Sequence, residues 1–393
     1  MNLDTFFAVT APGLAPITAQ EVGALDLISA APANAHPGAA EPGGVEFNGD
    51  RRALYLANLY LRTASRILAR LGDFPAIGFV ELRRRAARLP WERYLKPGQP
   101  VVLRVSCHKS RLYHSDAVAE RVAAAMGDRL GKPAPVIKFD EEGAGEPPQL
   151  VVVRLLHDHC TISIDSSGEL LHRRGYRLAT AKAPLRETLA AAMLLASGWP
   201  FAGDAPAPLL DPFGGAGTIP IEAALLALGV APGRQRRFAF MGWPDFDAGL
   251  WQALLADADE RSRRQSDAVA GRLRILASDR DAGAVEMARA NAERAGVADA
   301  IEFSCRALSS ITPPEGIGWV VTNPPYGIRV TPSRDLRNLY AQLGNVLRAR
   351  CAGWHVALLC SDRALLRQTG LALDTSLSWA NGGVAVTLAR GVV

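Results

Sequence analysis

The segment Leu209-Leu210-Asp211-Pro212-Phe213-Gly214-Gly215-Ala216-Gly217-Thr218-Ile219-Pro220-Ile221-Glu222 constrains the fold of this chain more than any other. A short apolar run ends in a carboxylate, a glycine cluster follows, and an apolar-periodic segment then reads as a helix. The pattern is strand, tight turn, helix. Glycines at 214, 215 and 217 permit positive φ and close approach of a ligand, Thr218 suits a cap, and Pro220 suits the first helical turn. The turn is therefore expected to present free N–H groups to a small ligand. A dinucleotide fits poorly: Pro220 stands where the third glycine of G-x-G-x-x-G belongs, and Asp279, the next strand-end acid, lies far beyond the ~20 residues expected. What remains is Asp-x-x-x-Gly-x-Gly, in which Asp211 can face an ammonium while the turn and helix N-terminus face a carboxylate. An amino acid carries both groups, and S-adenosylmethionine adds a ribose for Asp279. The same residues would also serve as a plain connection between strand and helix.

A second stretch, Trp319-Val320-Val321-Thr322-Asn323-Pro324-Pro325-Tyr326-Gly327, is again a buried-strand run that stops at an amide, two prolines and an aromatic ring. The prolines have no N–H and a fixed φ, so they hold their carbonyls and the Asn323 side chain in one arrangement. Asn323 and a proline carbonyl can accept from a planar amino group while Tyr326 stacks on its ring. Both stretches fall at C-terminal strand ends, where open α/β sheets bind ligands.

Together the two stretches resemble class I methyltransferases acting on exocyclic amino groups, which pair an Asp-x-x-x-Gly-x-Gly turn with an Asn-Pro-Pro-Tyr turn. The resemblance covers the last part of the chain. It implies S-adenosylmethionine as cofactor, bound by Asp211, Pro212, Phe213, Gly215, Gly217, Thr218, Asp279, Arg280 and Asn323, and a catalytic turn of Asn323, Pro324, Pro325 and Tyr326. Leu273 to Asp279 reads as the second strand, Asp281 as the cap of a helix from Ala282 to Ala295, and Ala300 to Cys305 as the third strand. The acid that the family often carries after that strand is missing from Arg306-Ala307-Leu308, so no side chain is assigned to the adenine. Leu336 to Arg350 reads as a helix and Trp354 to Cys360 as a strand. A hairpin through Asn381-Gly382-Gly383 closes a doubly wound sheet with one antiparallel strand.

The front half reads as α+β. Phe6 to Val9 is a strand, the segment to Leu25 a helix, Ala30 to Gly44 a loop, Val45 to Phe47 a strand, and Arg51 to Leu71 has helical periodicity. Phe79 to Arg88 is basic through Arg83, Arg84, Arg85 and Arg88. Val101 to Val105 is a strand, Cys107 to His114 a polar loop and Ser115 to Leu130 a helix, and two paired strands flank Leu156-His157-Asp158-His159. This order resembles a ferredoxin-like unit followed by a THUMP domain, the RNA-binding half of several tRNA and rRNA modification enzymes. Basic groups on such a surface would track phosphates and shape. For any one of these arginines taken alone, a solvated helix face is the preferred reading.

Between the halves stand Leu171-His172-Arg173-Arg174-Gly175-Tyr176-Arg177 and Ala183-Pro184-Leu185-Arg186-Glu187-Thr188-Leu189, which resemble the junction of the THUMP-containing guanine-N2 RNA methyltransferases. Arg186 and Glu187 would equally cap a helix, and Pro184 or Thr188 would lie near the cofactor. In the insertion from Pro232 to Arg264, basic residues alternate with Phe238, Phe240 and Trp243; that suits stacking on single-stranded RNA, but packing against the protein is the preferred reading of the aromatics.

The expected architecture is thus a ferredoxin-like unit (1–68), a THUMP-like domain (69–166) and a Rossmann-like class I methyltransferase domain (167–393). Such a chain of 393 residues is long enough for each part to bury a core. The resemblance implies methyl transfer to guanine N2 of a structured RNA, 23S rRNA ahead of tRNA. N6-adenine methylation and a silent, RNA-binding assembly factor are the competing readings. A net charge of +5 supports a polyanionic partner without requiring one. The five cysteines form no C-x-x-C, so free thiols and no metal are expected. The apolar run from Leu189 to Ala202 is short of the ~20 residues of a membrane span. A cytoplasmic monomer is the working expectation.

Overall fold

The computed structural model describes residues 3–25, 43–139, 148–177, 185–201, 206–326 and 333–393. Pro184, Gly327 and most of the Ala30 to Gly44 loop lie outside the described residues. In chain order the front half runs β1 (Asp4–Thr10), α1 (Ala15–Ala24), β2 (Gly44–Gly49), α2 (Arg51–Tyr60), β3 (Ala64–Pro75), α3 (Phe79–Ala86), β4 (Val101–His108), α4 (Ser115–Leu130), β5 (Gln149–Leu156) and β6 (His159–Asp165). Its strands make a six-stranded sheet in the order β2-β1-β3-β6-β5-β4. His157 and Asp158, with φ of 51° and 60°, form the two-residue turn whose twist matches the β5–β6 hairpin.

The helix expected from Arg51 to Leu71 is divided. Asp50 caps α2 through the Ala53 N–H, but the chain leaves the helix at Leu61, where φ is −66° and ψ is 117°. The Glu21 carboxylate then takes the N–H groups of Arg62 and Thr63 at 2.9 and 3.0 Å, which draws them out of any helical ladder. The apolar residues beyond them belong to β3, a strand inside the sheet. Arg66, Ile67, Leu68 and Ala69 are all buried there, so no alternation shows, and a short buried run mimics helical spacing.

The second half runs α5 (Glu187–Ser197), β7 (Leu209–Asp211), α6 (Thr218–Ala227), α7 (Ala248–Val269), β8 (Ile275–Asp279), α8 (Ala282–Ala295), β9 (Ile301–Cys305), β10 (Trp319–Thr322), α9 (Ser333–Arg350), β11 (His355–Cys360), α10 (Arg363–Gln368), β12 (Leu373–Asn381) and β13 (Val384–Val392). The seven strands lie in the order β12-β13-β11-β10-β7-β8-β9. β7, β8, β9, β10 and β11 are parallel, and β13 is antiparallel to both its neighbours. Chain order reverses between β7 and β10, the switch point at which doubly wound sheets bind ligands. The central parallel strands β7, β10 and β11 are buried on both faces: Leu209, Val321, Ala357 and Leu359 join one apolar core, and Leu210, Val320, Val356 and Leu358 the other.

Two compact units result, one of Met1–Val9, Ala19–Leu171 and Arg236–Leu254, the other of Thr10–Thr18, His172–Gln235 and Leu255–Val393. Part of the insertion therefore packs with the front half. Phe240 stacks on Tyr55 at 4.4 Å and on Phe238 at 5.3 Å, and Trp251 meets all three rings. Trp243 donates to Gln149. With Phe238, Phe240 and Trp243 all buried, these aromatics are core residues and cannot stack on RNA bases.

Candidate active site

β7 ends at Asp211, and the next residues make the glycine turn. The Phe213 N–H bends back to Asp211 Oδ1 at 3.1 Å, Gly214 donates to the Ser278 carbonyl, Gly215 to Asp279 Oδ2 at 3.0 Å, and Gly217 to the Gly214 carbonyl. Most of the N–H groups expected to face a ligand are thus spent inside the turn. The donors left are at the start of α6, where the first N–H groups have no intrahelical acceptor. Gly217, not Thr218, is the N-cap residue, at φ of 83° and with no side-chain cap. The Thr218 hydroxyl accepts from Arg177 instead.

The glycines do different work. A Cβ on Gly217 would meet the Cβ of Ala288 at 3.0 Å, so this glycine lets α8 pack closely against the start of α6. A Cβ on Gly215 would meet nothing nearer than the Phe213 carbonyl at 4.0 Å, which leaves open space beside the turn. Asn291 of α8 steadies the turn through the Ala216 carbonyl at 2.9 Å.

Asp279 closes the far side. Its Oδ2 holds Gly215 and its Oδ1 accepts from Asp281 N–H at 3.0 Å, while Asp281 caps α8 through Gly283 and Ala284. Pro212 is buried, Phe213 half-buried and Arg280 exposed; the Arg280 carbonyl accepts from the Cys305 thiol.

β10 lies beside β7 and ends at Thr322, whose hydroxyl donates to Asp211 Oδ1 at 2.5 Å. Asp211 and the Asn-Pro-Pro-Tyr turn are therefore separated by one covalent step and one hydrogen bond. Both donors to Asp211 reach Oδ1, which leaves Oδ2 without a hydrogen bond among the described residues. Burial pushes the Asp211 carboxyl up to about 7; the Thr322 and Phe213 bonds oppose the rise, and Asp279 adds to it. Asn323 presents a buried Oδ1 with no partner among the described residues. Pro324 is buried, Pro325 half-buried, and the half-buried Tyr326 accepts from Asn381 Nδ2 at 3.3 Å.

The basic junction is interior. Tyr176 donates to Glu222 Oε1 at 3.1 Å, Arg174 lies 3.5 Å from the same oxygen, and Arg177 pairs with Glu187 at 3.5 Å. Arg174, Tyr176, Glu187 and Glu222 are all buried, so this network fastens α5 and α6 and has no surface to offer a phosphate. Neither Glu187 nor Thr188 is exposed at the helix start.

Thr322, Asn291 and Asn381 escaped notice in the sequence. The signal for Thr322 was present as a hydroxyl residue closing an apolar strand just before the amide. Asn291 and Asn381 lie too far along the chain for any local pattern to announce them.

Comparison with known proteins agrees with this fold. Residues 174–387 match the family described as UPF0020: RMKL-like, methyltransferase domain, residues 5–68 the RlmL ferredoxin-like domain and residues 78–165 the THUMP domain. "Putative RNA methyltransferase slr0064" of Synechocystis sp. is 34% identical over 98% of this chain and 96% of its own. The ribosomal RNA large subunit methyltransferase K/L of Psychromonas ingrahamii is 34% identical over 98% of this chain but 49% of its own, so this chain spans about half the length of that relative. SMU.472, crystallised with SAH, superposes with a TM-score of 0.85 at 29% identity over 100% of this chain and 98% of that one. A protein of Listeria monocytogenes described as a predicted N6-adenine-specific DNA methylase superposes with a TM-score of 0.83 at 31% identity over 99% and 96%. With ferredoxin-like and THUMP domains ahead of a class I methyltransferase domain, the chain belongs to the RMKL-like methyltransferase family.

Proposed function

We propose that this protein transfers a methyl group from S-adenosylmethionine to N2 of a guanine in structured RNA, with 23S rRNA as the substrate. The observation that carries the reading is the buried Asn323 Oδ1, which has no partner among the described residues and stands one residue beyond the Thr322–Asp211 bond. A buried acceptor without a donor costs ~1–3 kcal/mol unless something pairs with it, and an incoming amino group is such a donor.

The residues present fit the cofactor. Asp211 Oδ2 would hold the ammonium, the start of α6 would hold the carboxylate, and the space beside Gly215 would admit the ligand close to the backbone. Asp279 keeps acceptor capacity for ribose hydroxyls beside its N–H partners. Pro212, Phe213, Gly217, Thr218 and Arg280 shape this wall through the contacts described above. When bound, S-adenosylmethionine supplies a methyl carbon already activated by a sulfonium.

The protein's part is alignment and exclusion of water. Asn323 Oδ1 and the Pro324 carbonyl accept from the guanine amino group and bias its nitrogen toward a tetrahedral form with an available lone pair. Pro324 and Pro325 hold those acceptors still, and Tyr326, fixed at its hydroxyl by Asn381, offers its ring to the base. Asn323 Oδ1 and the Pro324 carbonyl would hold the amino nitrogen in line with the methyl carbon, and the proton that the methylated nitrogen gives up would pass to solvent once the site reopens. No side-chain base is required.

A base presented this way must be unstacked from its RNA. The THUMP domain and the ribosomal RNA methyltransferase relative favour RNA and, within RNA, the large-subunit rRNA. The Listeria neighbour's description favours a second reading, N6-adenine, because the same turn can accept either amino group. Incubation with labelled S-adenosylmethionine and separate rRNA and tRNA pools, followed by nucleoside identification, decides. N2-methylguanosine in 23S rRNA is expected, and N6-methyladenosine would overturn the base assignment.

A further inference from the structure

We infer that Thr322 is the positioning residue that couples the cofactor wall of this site to its acceptor wall. The inference rests on the methyltransferase reading of Asp211 and Asn323 given above.

Thr322 is fully buried and is the last residue of β10. It is held from both sides. Its backbone is in register with Leu358 of β11, and its hydroxyl donates to Asp211 Oδ1 across to β7 at 2.5 Å. Beyond it the ladder stops: Pro324 and Pro325 have no N–H with which to continue. The position of the Asn323 amide is therefore set by the last residue that is still tied down, and that tie ends on the carboxylate proposed to hold the cofactor's ammonium. Among the described residues Asp211 in turn has two donors, the Phe213 N–H and this hydroxyl, and of these the hydroxyl comes from outside its own turn.

Thr322 touches no reacting atom in this scheme. Its hydroxyl fixes the Asp211 carboxylate and aims Oδ2, while its backbone fixes the Asn323 side chain. Loss of the hydroxyl should weaken cofactor binding and slow methyl transfer together, whereas a residue that merely fills space would change stability alone.

The test is a double-mutant cycle on S-adenosylmethionine affinity, measured by calorimetry with the full chain, alongside single-turnover methyl transfer to rRNA. Thr322→Val keeps the β-branched shape and removes the donor. We expect a roughly tenfold or greater loss of cofactor affinity with a comparable loss of transfer rate, and near wild-type behaviour for Thr322→Ser. In an Asp211→Ala background, which removes the acceptor, the affinity effect of Thr322→Val should largely vanish, because the two residues act through one bond. Should Thr322→Val fail to fold, Thr322→Ala against Thr322→Ser makes the same comparison.

Wild-type affinity and rate in Thr322→Val, or additive effects in the cycle, would overturn the coupling and leave the methyltransferase reading standing. Failure of the wild-type protein to bind S-adenosylmethionine would overturn both.

Discussion

Asn323 spends stability for function. Its buried Oδ1 meets no donor among the described residues, and the two prolines behind it limit how far the turn can relax to find one. Such an oxygen is useful only toward a group that arrives from outside. Asn323→Ala should therefore lower single-turnover methyl transfer by about a hundredfold or more, the scale of losing one preorganised group, while calorimetric cofactor affinity stays nearly constant. Equal rates would remove Asn323 from the mechanism. Asp211 makes a different prediction, in pH. Burial raises its carboxyl to about 7 from an ordinary 3.8, with Asp279 the other acid contributing, so the folded protein binds a proton that the unfolded chain releases. Its contribution to the stability of the free protein is full below about pH 4 and is lost as pH rises toward and through 7. The cofactor's ammonium prefers the ionised carboxylate, so affinity should rise with pH through the same range, by up to about tenfold per unit below pH 7. Titration of the wild type beside Asp211→Asn checks this: the variant should bind weakly at every pH and lose the dependence.

Helices α5 and α6 begin side by side on buried charge. Arg177 pairs with Glu187 and donates to Thr218, and burial raises the Glu187 carboxyl while Arg177 pulls it down. Arg177→Met should destabilise the protein by ~3–5 kcal/mol, because it strands a buried carboxylate rather than merely deleting a contact. Thermal unfolding measures the loss, and a variant as stable as the wild type would show that Glu187 is satisfied without Arg177. The same elements show where the sequence could be read and where it could not. The strand–turn–helix at 209–222, the helix from Ser115 to Leu130 and the cap at Asp281 are local patterns, set by glycines, prolines and periodicity within a few residues. They were legible for that reason. The break at Leu61 was not, because it depends on a carboxylate some forty residues upstream at Glu21. The burial of Arg174 was not legible either, because arginine is usually exposed and only the packed helices supply the buried acid that draws it in. Asp211 and Asn323 were both readable as C-terminal strand ends; that the two strands are neighbours, and that a hydroxyl joins them, became visible with β10 set beside β7.

A net charge of +5 over 393 residues is a weak field for holding a long polyanion, so RNA affinity must come from clusters rather than from the molecule's total charge. α3, within the THUMP match, is one candidate, and its arginines are not equivalent. Arg83 is bound in a two-pronged pair with Asp128 at 2.7 and 2.8 Å, and Arg85 is paired with Glu81, so their charge is largely answered. Arg84 of the helix and Arg88, two residues beyond its end, are exposed and enter no ion pair among the described residues. If these two meet phosphates, replacing both with alanine should weaken binding about equally for every RNA tested. The slope of log affinity against log salt should then become shallower by ~1.4–1.8, the counterion release of two contacts. Arg83→Ala is the internal control. It exposes Asp128 as an unpaired negative charge yet removes no free positive one, so affinity should fall modestly with the slope little changed. Filter binding across a salt series separates the cases: an unchanged slope in the Arg84→Ala, Arg88→Ala variant would move the RNA track off α3 and leave the methyl-transfer site untouched.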